Sequence, residues 1–399
     1  MIKINEIKIK QTDSRVRIQS EVRYDDINES ELIWFETDKK YSSFLTTAAD
    51  PWLTCLTPLA FKLGQQLTIG HCVDGGLLKN MKSAMDILKQ WHPSREIISI
   101  KAEPCKEAVK IKKDKTAVFF TAGVDSFYTL LKDYEKENNI EYLIFVIGFE
   151  IPVKNENAVF EMTGRLKDIA GRLKKELIVI STNLNETRFN SLNWPAYYGF
   201  ALASAAQVLQ NVYSKVLIAT NAETENYKTR LWGDDPVLTP FYSSRSQSFN
   251  VDSLGVTRFE KIKYISGFDN ALKNLKVCNK SQLNDNCGKC EKCYRTMVSL
   301  FLLGKLQEFN TSEISAFDIK KVQNIYFKKK STIPWWIEIR GNAENSGQKD
   351  LVKSIDKSIR RTLIIKKFYS IILVKLKRRR MFRKTVHGLE KMLMRNKID

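Results

Sequence analysis

A chain of 399 residues carries 65 Lys and Arg against 45 Asp and Glu, a formal charge of +20, with 43% hydrophobic and 28% charged residues. That length suits two or three domains, and the apolar share excludes a disordered chain. Met1–Lys10 alternates apolar and charged residues where a secretory leader would run apolar, and the longest uncharged stretch, between Arg188 and Lys215, is broken by amides, so neither secretion nor polytopic membrane insertion is expected.

In chain order, Ile2–Ile9, Val16–Val22 and Leu32–Phe35 alternate as strands do. Helical periodicity follows near Pro51–Leu63 and Leu77–Trp91, with further short strands at Leu67–Ile69 and Ile97–Ile100. Residues 1–114 therefore read as a small α+β accessory domain without a catalytic motif. From 115 to 307 strand and helix alternate: Ala117–Phe120, a helix over Asp125–Glu137, Tyr142–Ile147, a helix over Asn157–Lys175, Leu177–Ile180, a small-residue helix over Pro195–Val212, and Val216–Ala219. Short apolar strands separated by helices predict an α/β class with a parallel sheet covered on both faces, its ligands bound beyond the carboxyl ends of the strands. Residues 308–399 are less regular: a helical stretch near Ala316–Tyr326, the run Ile333-Pro334-Trp335-Trp336, a polar link over Gly341–Gly347, then a basic tail.

The sharpest local signal is Phe119-Phe120-Thr121-Ala122-Gly123-Val124-Asp125-Ser126, a strand that ends in a hydroxyl, a glycine turn and a helix start. A glycine lets the backbone approach an anion closely. The first amides of a helix point outward unpaired, and the macrodipole adds positive charge there. Thr121 and Ser126 add hydroxyls, and Asp125 can cap the helix or help hold a cation. The same six residues also suit an ordinary strand-to-helix turn; no Walker A motif occurs in the chain.

Cysteine usage is the second signal. Four of the seven cysteines form Cys278-x8-Cys287-x2-Cys290-x2-Cys293, the ligand set of a closed structural zinc site, with Lys289, Lys292 and Arg295 to offset its charge. An iron–sulfur cluster and unligated thiols are the alternatives; the proline that follows the fourth cysteine of ferredoxins is absent. An odd cysteine total with clustered thiols points to a reducing compartment, with Cys55, Cys72 and Cys105 as spare thiols.

Thr121–Ser126 resembles the S-G-G-x-D-S loop of the PP-loop (N-type) ATP pyrophosphatases, with Thr121 for the serine and Ala122 for the first glycine. Together with the cysteine spacing, residues Thr116 to Leu303 resemble the 7-cyano-7-deazaguanine synthases of queuosine biosynthesis. The resemblance implies ATP-dependent adenylation of a carboxylate or amide-like oxygen, pyrophosphate release, and displacement of AMP by nitrogen. It implies ATP and Mg2+ held by Thr121, Ala122, Gly123, Val124, Asp125 and Ser126, with Asp125 and Ser126 in catalytic roles, and Zn2+ at the four cysteines. A tRNA-modifying thiolase and a non-catalytic nucleotide-binding scaffold are the alternative functions.

Asn221, after the fourth strand in Thr220-Asn221-Ala222-Glu223, could contact a nucleotide or substrate, and Trp232-Gly233-Asp234-Asp235-Pro236 is either a magnesium loop or a solvated turn. Arg245, Arg258 and Lys261 could meet phosphate, and Trp194 and Tyr197 could line a planar pocket. The three histidines, His71, His92 and His387, support no hydrolase motif. From Leu351 to Asp399 there are 16 basic and three acidic residues. Ile364–Arg380 mixes them with apolar side chains, which suits an anionic membrane surface, RNA, or simple packing. The expected partners are a small-molecule substrate, one of those polyanions and a second copy of the chain. The expected location is the cytoplasm, with the membrane periphery as a variant.

Overall fold

The computed structural model describes residues 1–106, 114–135, 140–221, 231–278, 286–309, 311 and 314–377. The chain divides into two compact units, Met1–Thr257 and Arg258–Asp399.

The first unit opens with an antiparallel meander, β1 (Ile2–Gln11), β2 (Arg15–Tyr24) and β3 (Glu29–Asp38). Helix α1 (Asp50–Leu63), strand β4 (Leu67–Ile69), helix α2 (Gly75–Trp91) and the two-residue strand β5 (Ile100–Lys101) follow. The α/β alternation is then β6 (Thr116–Phe119), α3 (Val124–Glu135), β7 (Ile140–Ile147), α4 (Glu156–Arg172), β8 (Glu176–Thr182), α5 (Trp194–Gln207), β9 (Lys215–Ala219) and β10 (Ser248–Asp252). Among the described residues the ten strands belong to one sheet, ordered β10-β9-β6-β7-β8-β3-β2-β1-β4-β5. Strands β6 to β10 run parallel to one another, and β4 and β5 are parallel to β1. The seam between the meander and the parallel strands is antiparallel and short, Phe35 opposite Thr182 and Glu36 opposite Ser181.

Burial explains the apolar strands. Ala117, Phe119, Ile144, Ile178, Ile180, Val216 and Ile218 join one core with α1, α2 and α5, while alternate residues Val118, Leu143, Phe145, Val179 and Leu217 are buried outside it. Helix α3 packs on β6, β7 and β9, and α4 on β8. Side chains of opposite parity leave the sheet on opposite faces, so both faces are covered.

Three expectations need correction here. The strand expected at Ile97–Ile100 shortens to Ile100–Lys101, because Ile97 is exposed and contributes nothing to the core. Strand β10 is additional to the expected elements, since Ser-Phe-Asn-Val-Asp carries only two apolar residues. Cys72 and Cys105 are not spare thiols. A parallel bridge between Val73 and Pro104 brings their Cα atoms to 4.8 Å, and they form a disulfide; Cys55 stays free and buried.

The second unit contains α6 (Arg258–Ile265), α7 (Asp269–Asn274), α8 (Glu291–Leu302), α9 (Ile333–Asn345) and α10 (Lys349–Lys377). The helical stretch expected near Ala316–Tyr326 is two 3-10 turns, Ile314–Ala316 and Ile319–Asn324. The expected polar link over Gly341–Gly347 is largely helix, because α9 continues to Asn345 and buries Ile339 and Ala343 along one side. Helix α10 packs on α9 and on Ile319–Asn324. Ser358 Oγ donates to Ile325 O at 2.7 Å and Thr362 Oγ1 accepts from Phe327 N at 3.2 Å, which fixes the helix rotation. The tail from Arg378 lies outside the described residues.

Candidate functional site

The strand order decides where a ligand could sit in the first unit. From β6 the chain moves through β7 to β8, then returns to place β9 on the other side of β6. The β6/β9 boundary is therefore a topological switch point, where the connections leave in opposite directions and open a crevice beyond the carboxyl ends.

Thr121–Ser126 follows β6 at that boundary. Phe120 still donates its N–H to Ile144 O (2.9 Å), and Phe127 N donates to Gly123 O (2.9 Å), so the turn is confined to the residues between. Ala122 adopts φ 55°, a left-handed backbone that suits glycine, with its side chain buried. Thr121, Gly123 and Asp125 are half-buried. Val124 packs inward, and Phe127 is set edge-on against Phe120 at 5.1 Å, anchoring the start of α3 to the strand it leaves. Ser126 is nearly buried and its hydroxyl donates to Gly123 O at 3.1 Å.

Across the crevice, β9 ends in Thr220 and Asn221. Thr220 is buried and receives its place from β10, its N–H bonding to Asp252 O at 3.2 Å; Asn221 is half-buried. Ala222 and Glu223 lie outside the described residues. Asp234 is buried and hydrogen-bonds with both Thr220 and Tyr198. Burial pushes its carboxyl up, those two bonds pull it back, and the charge of Asp125 pushes it up again. Asp125 and Asp234 are thus within electrostatic reach, one on each side of the β6/β9 boundary.

What delivers Asp234 there is a backbone-to-backbone contact. A Cβ on Gly199 would stand 1.8 Å from Gly233 O, and one on Gly233 would stand 2.2 Å from Gly199 N. Gly233 N donates to Pro195 O (2.9 Å) and Tyr242 Oη donates to Gly233 O (2.9 Å). The loop consequently lies flush on α5. Its second carboxylate, Asp235, holds the turn instead, with Oδ1 accepting from Val237 N (2.8 Å) and Leu238 N (3.1 Å). Tyr198 and the Gly199–Gly233 contact escape sequence reasoning; their only traces are the small-residue composition of α5 and a Gly-Asp-Asp-Pro loop.

Other candidates are engaged elsewhere. Arg245 pairs with Asp74 at 2.8 Å at the start of α2. Tyr197 is buried and its hydroxyl meets His92 Nε2 at 2.9 Å, and Trp194 packs against Phe149 at 5.1 Å and Tyr198 at 6.2 Å. Arg258 and Lys261 belong to α6 of the second unit, where Lys261 is buried.

The second unit brings Cys278, Cys287, Cys290 and Cys293 together, with their sulfurs all within 4.8 Å of one another. Sγ separations are 3.9 Å for Cys278–Cys290, 3.8 Å for Cys287–Cys293 and 3.4 Å for Cys290–Cys293. A tetrahedral ion with metal–sulfur bonds of about 2.3 Å separates its sulfurs by about 3.8 Å. The cluster therefore fits a metal ion such as zinc. Gly288 at φ 64° makes the turn between the first two ligands of the Cys-x2-Cys-x2-Cys run, and Cys290 is the residue before α8, where the helix dipole favours negative sulfur. The Cys290 thiol is held low, first by its hydrogen bond with the Cys293 thiol, against the cost of burial.

Asn286 ties the fourth ligand to the other three. It is fully buried; its Oδ1 accepts from Val277 N (2.8 Å) and Cys278 N (3.1 Å), and Nδ2 donates to Leu275 O (2.8 Å). Its own carbonyl accepts from Thr311 Oγ1 at 2.8 Å. Arg295, expected to offset thiolate charge, is buried, lies 3.6 Å from Glu291 and stacks 4.2 Å over the Trp335 ring.

Comparison of the chain with protein-family models, curated proteins and solved structures found no match. The two sites carry the functional reading by themselves.

Proposed function

We propose that this chain is an ATP pyrophosphatase of the PP-loop type, which adenylates a carboxylate or amide-like oxygen and hands the product to a nitrogen nucleophile. The observation that carries the reading is the left-handed turn at Ala122, set at the β6/β9 switch point and leading directly into α3. Amides at the start of α3 and the Thr121 hydroxyl would hold the β- and γ-phosphates of ATP, leaving the α-phosphorus toward Asn221. The acceptor oxygen attacks that phosphorus, the bond to the bridging oxygen breaks, and pyrophosphate leaves with the electron pair. The nitrogen nucleophile then displaces AMP from the activated carbon. Asp125 and Asp234, like-charged carboxylates that repel each other, would suit Mg2+, which would neutralise both them and the phosphates. The thiol cluster is read as structural zinc, distinct from the chemistry; the Cys72–Cys105 disulfide counts against the reducing compartment expected from the cysteine count, and the cytoplasm stays a proposal.

Calorimetric titration of the full chain with Mg·ATP tests the reading. Binding is expected, weakened at least about tenfold by Asp125→Asn. Absence of ATP binding to the metal-loaded protein overturns it.

A second reading, a nucleotide-binding scaffold without turnover, draws on Ala122 itself, because a methyl stands where the related loops carry glycine. Pyrophosphate release that appears only in Ala122→Gly would favour the scaffold. The thiolase reading loses support, since Cys72 and Cys105 are joined and Cys55 is buried.

A further inference from the structure

Helix α10 spans 29 residues, about 44 Å, and over Leu351–Phe368 only part of its circumference is used for packing. Leu351, Ser354, Ile355, Ser358 and Thr362 face the second unit and are buried. The opposite side exposes Lys353, Lys357, Arg360, Leu363, Ile364, Lys367 and Phe368. Three of these are large apolar side chains: Ile364 (60% exposed) and Phe368 (65%) are neighbours one turn apart, and Leu363 (47%) lies to one side of them. At 100° per residue, Lys353, Lys357, Arg360, Ile364, Lys367 and Phe368 fall within about a quarter to a third of the helix surface. No acidic side chain lies on that stripe from Lys353 to Phe368; Asp356 is turned aside and bonded to Arg340 at 2.8 Å. The sequence continues in the same sense, with twelve Lys and Arg and no Asp or Glu between Asp356 and Glu390. Among the described residues no helix is long and apolar enough to cross a membrane.

We propose that this face of α10 docks on an anionic lipid bilayer, lying along the surface with Ile364 and Phe368 inserted at the acyl boundary and the cations among the headgroups. Charge alone would suit RNA equally. The apolar pair on the stripe decides for lipid, because Ile364, one turn from Phe368, gains from a hydrocarbon boundary and nothing from phosphate. The inference is independent of the ATP chemistry, since every residue it uses lies in the second unit.

Flotation of the full-length, metal-loaded protein with vesicles provides the test. Vesicles of phosphatidylcholine with 30% phosphatidylserine, a fraction set by the experimenter at roughly that of a cytoplasmic leaflet, should bind at least about tenfold more tightly than phosphatidylcholine alone. Ile364→Asp with Phe368→Asp should abolish binding, and Arg360→Gln with Lys367→Gln should weaken it and flatten its salt dependence. Unchanged melting of each pair shows that the fold survives, as expected for exposed positions. Equal binding to neutral vesicles, or none to either, overturns the proposal. So does tight RNA binding that survives Ile364→Asp/Phe368→Asp alongside absent vesicle binding, or a homodimer that those two substitutions dissociate.

Discussion

Ala122 holds a backbone conformation that costs an L-residue about 1–2 kcal/mol, in a turn whose neighbours are fixed to β7 and α3. Glycine would release that strain but give up a buried methyl, about 0.8 kcal/mol, and gain unfolded-state entropy worth about 0.4–1 kcal/mol. Ala122→Gly should therefore shift stability by less than about 1 kcal/mol, whereas Ala122→Val, branched at a left-handed position, should lose about 2 kcal/mol or more in urea unfolding. Asn286 makes the second residue-scale case. Asn286→Ala strands the amides of Val277 and Cys278 and the carbonyl of Leu275, a loss of about 2–4 kcal/mol, and should weaken metal binding about 10–100-fold in competition with a chromophoric chelator. Asn286→Asp, which keeps the acceptor, should lose less. The four cysteines are readable in the sequence because thiols are rare and three of them are contiguous in spacing. Asn286 is not, although it adjoins Cys287, because an asparagine in a turn looks the same whether its amide is solvated or clamps a backbone nine residues away. Asp234 is readable only as one of two outcomes, since both carboxylates are buried and only their partners, Thr220 and Tyr198 for Asp234 against the turn amides for Asp235, separate their roles.

At the scale of elements, the contact between α5 and the loop at Gly233 is the most exacting. Gly199→Ala would force α5 and the loop apart, because the new methyl meets carbonyl oxygen and not a side chain that can swing away. The expected loss is about 3 kcal/mol or more by denaturant unfolding, and Mg·ATP binding should weaken with it because Asp234 is displaced. Gly164→Ala on α4, where a Cβ meets nothing within 4 Å, is the control and should stabilise slightly. Strands β6, β7 and β8 are legible from their apolar runs because both faces of the sheet are buried there. Strand β10 is hidden because an edge strand needs few apolar residues; its place is fixed by five parallel pairs with β9 and by Asp252, which bonds to Lys132 of α3 at 2.8 Å. Helix α9 outruns its sequence signal because Gly341 and Asn342 are poor helix formers, yet burial of Ile339 and Ala343 outweighs propensity.

For the molecule as a whole, the two compact units make separate stability predictions. A strong chelator should raise hydrogen exchange throughout Arg258–Asp399, whose ligand turn and α8 depend on the thiol cluster, and leave the β6–β9 strands protected, with zinc restoring the first pattern. Exchange that is unaltered in both units would mean the cluster holds no ion that matters to folding. The expectation of an accessory region beside an α/β region rests on local periodicity, which says nothing about which strands pair across long separations. The ten-stranded sheet is such a pairing: β3 and β8 meet through two residue pairs, Phe35–Thr182 and Glu36–Ser181, whose members are about 146 positions apart.

That narrow seam constrains any attempt to shorten the protein. Cutting away the leading strands would strip β8 of its neighbour and leave its terminal amides and carbonyls, near Ser181 and Thr182, facing water as a template for stray chains. Short end strands now blunt the outer margins, β5 with only two residues. A fragment starting at Lys115 would unpair Ser181 and Thr182 and make the seven-residue β8 an outer edge strand, and should clump on expression.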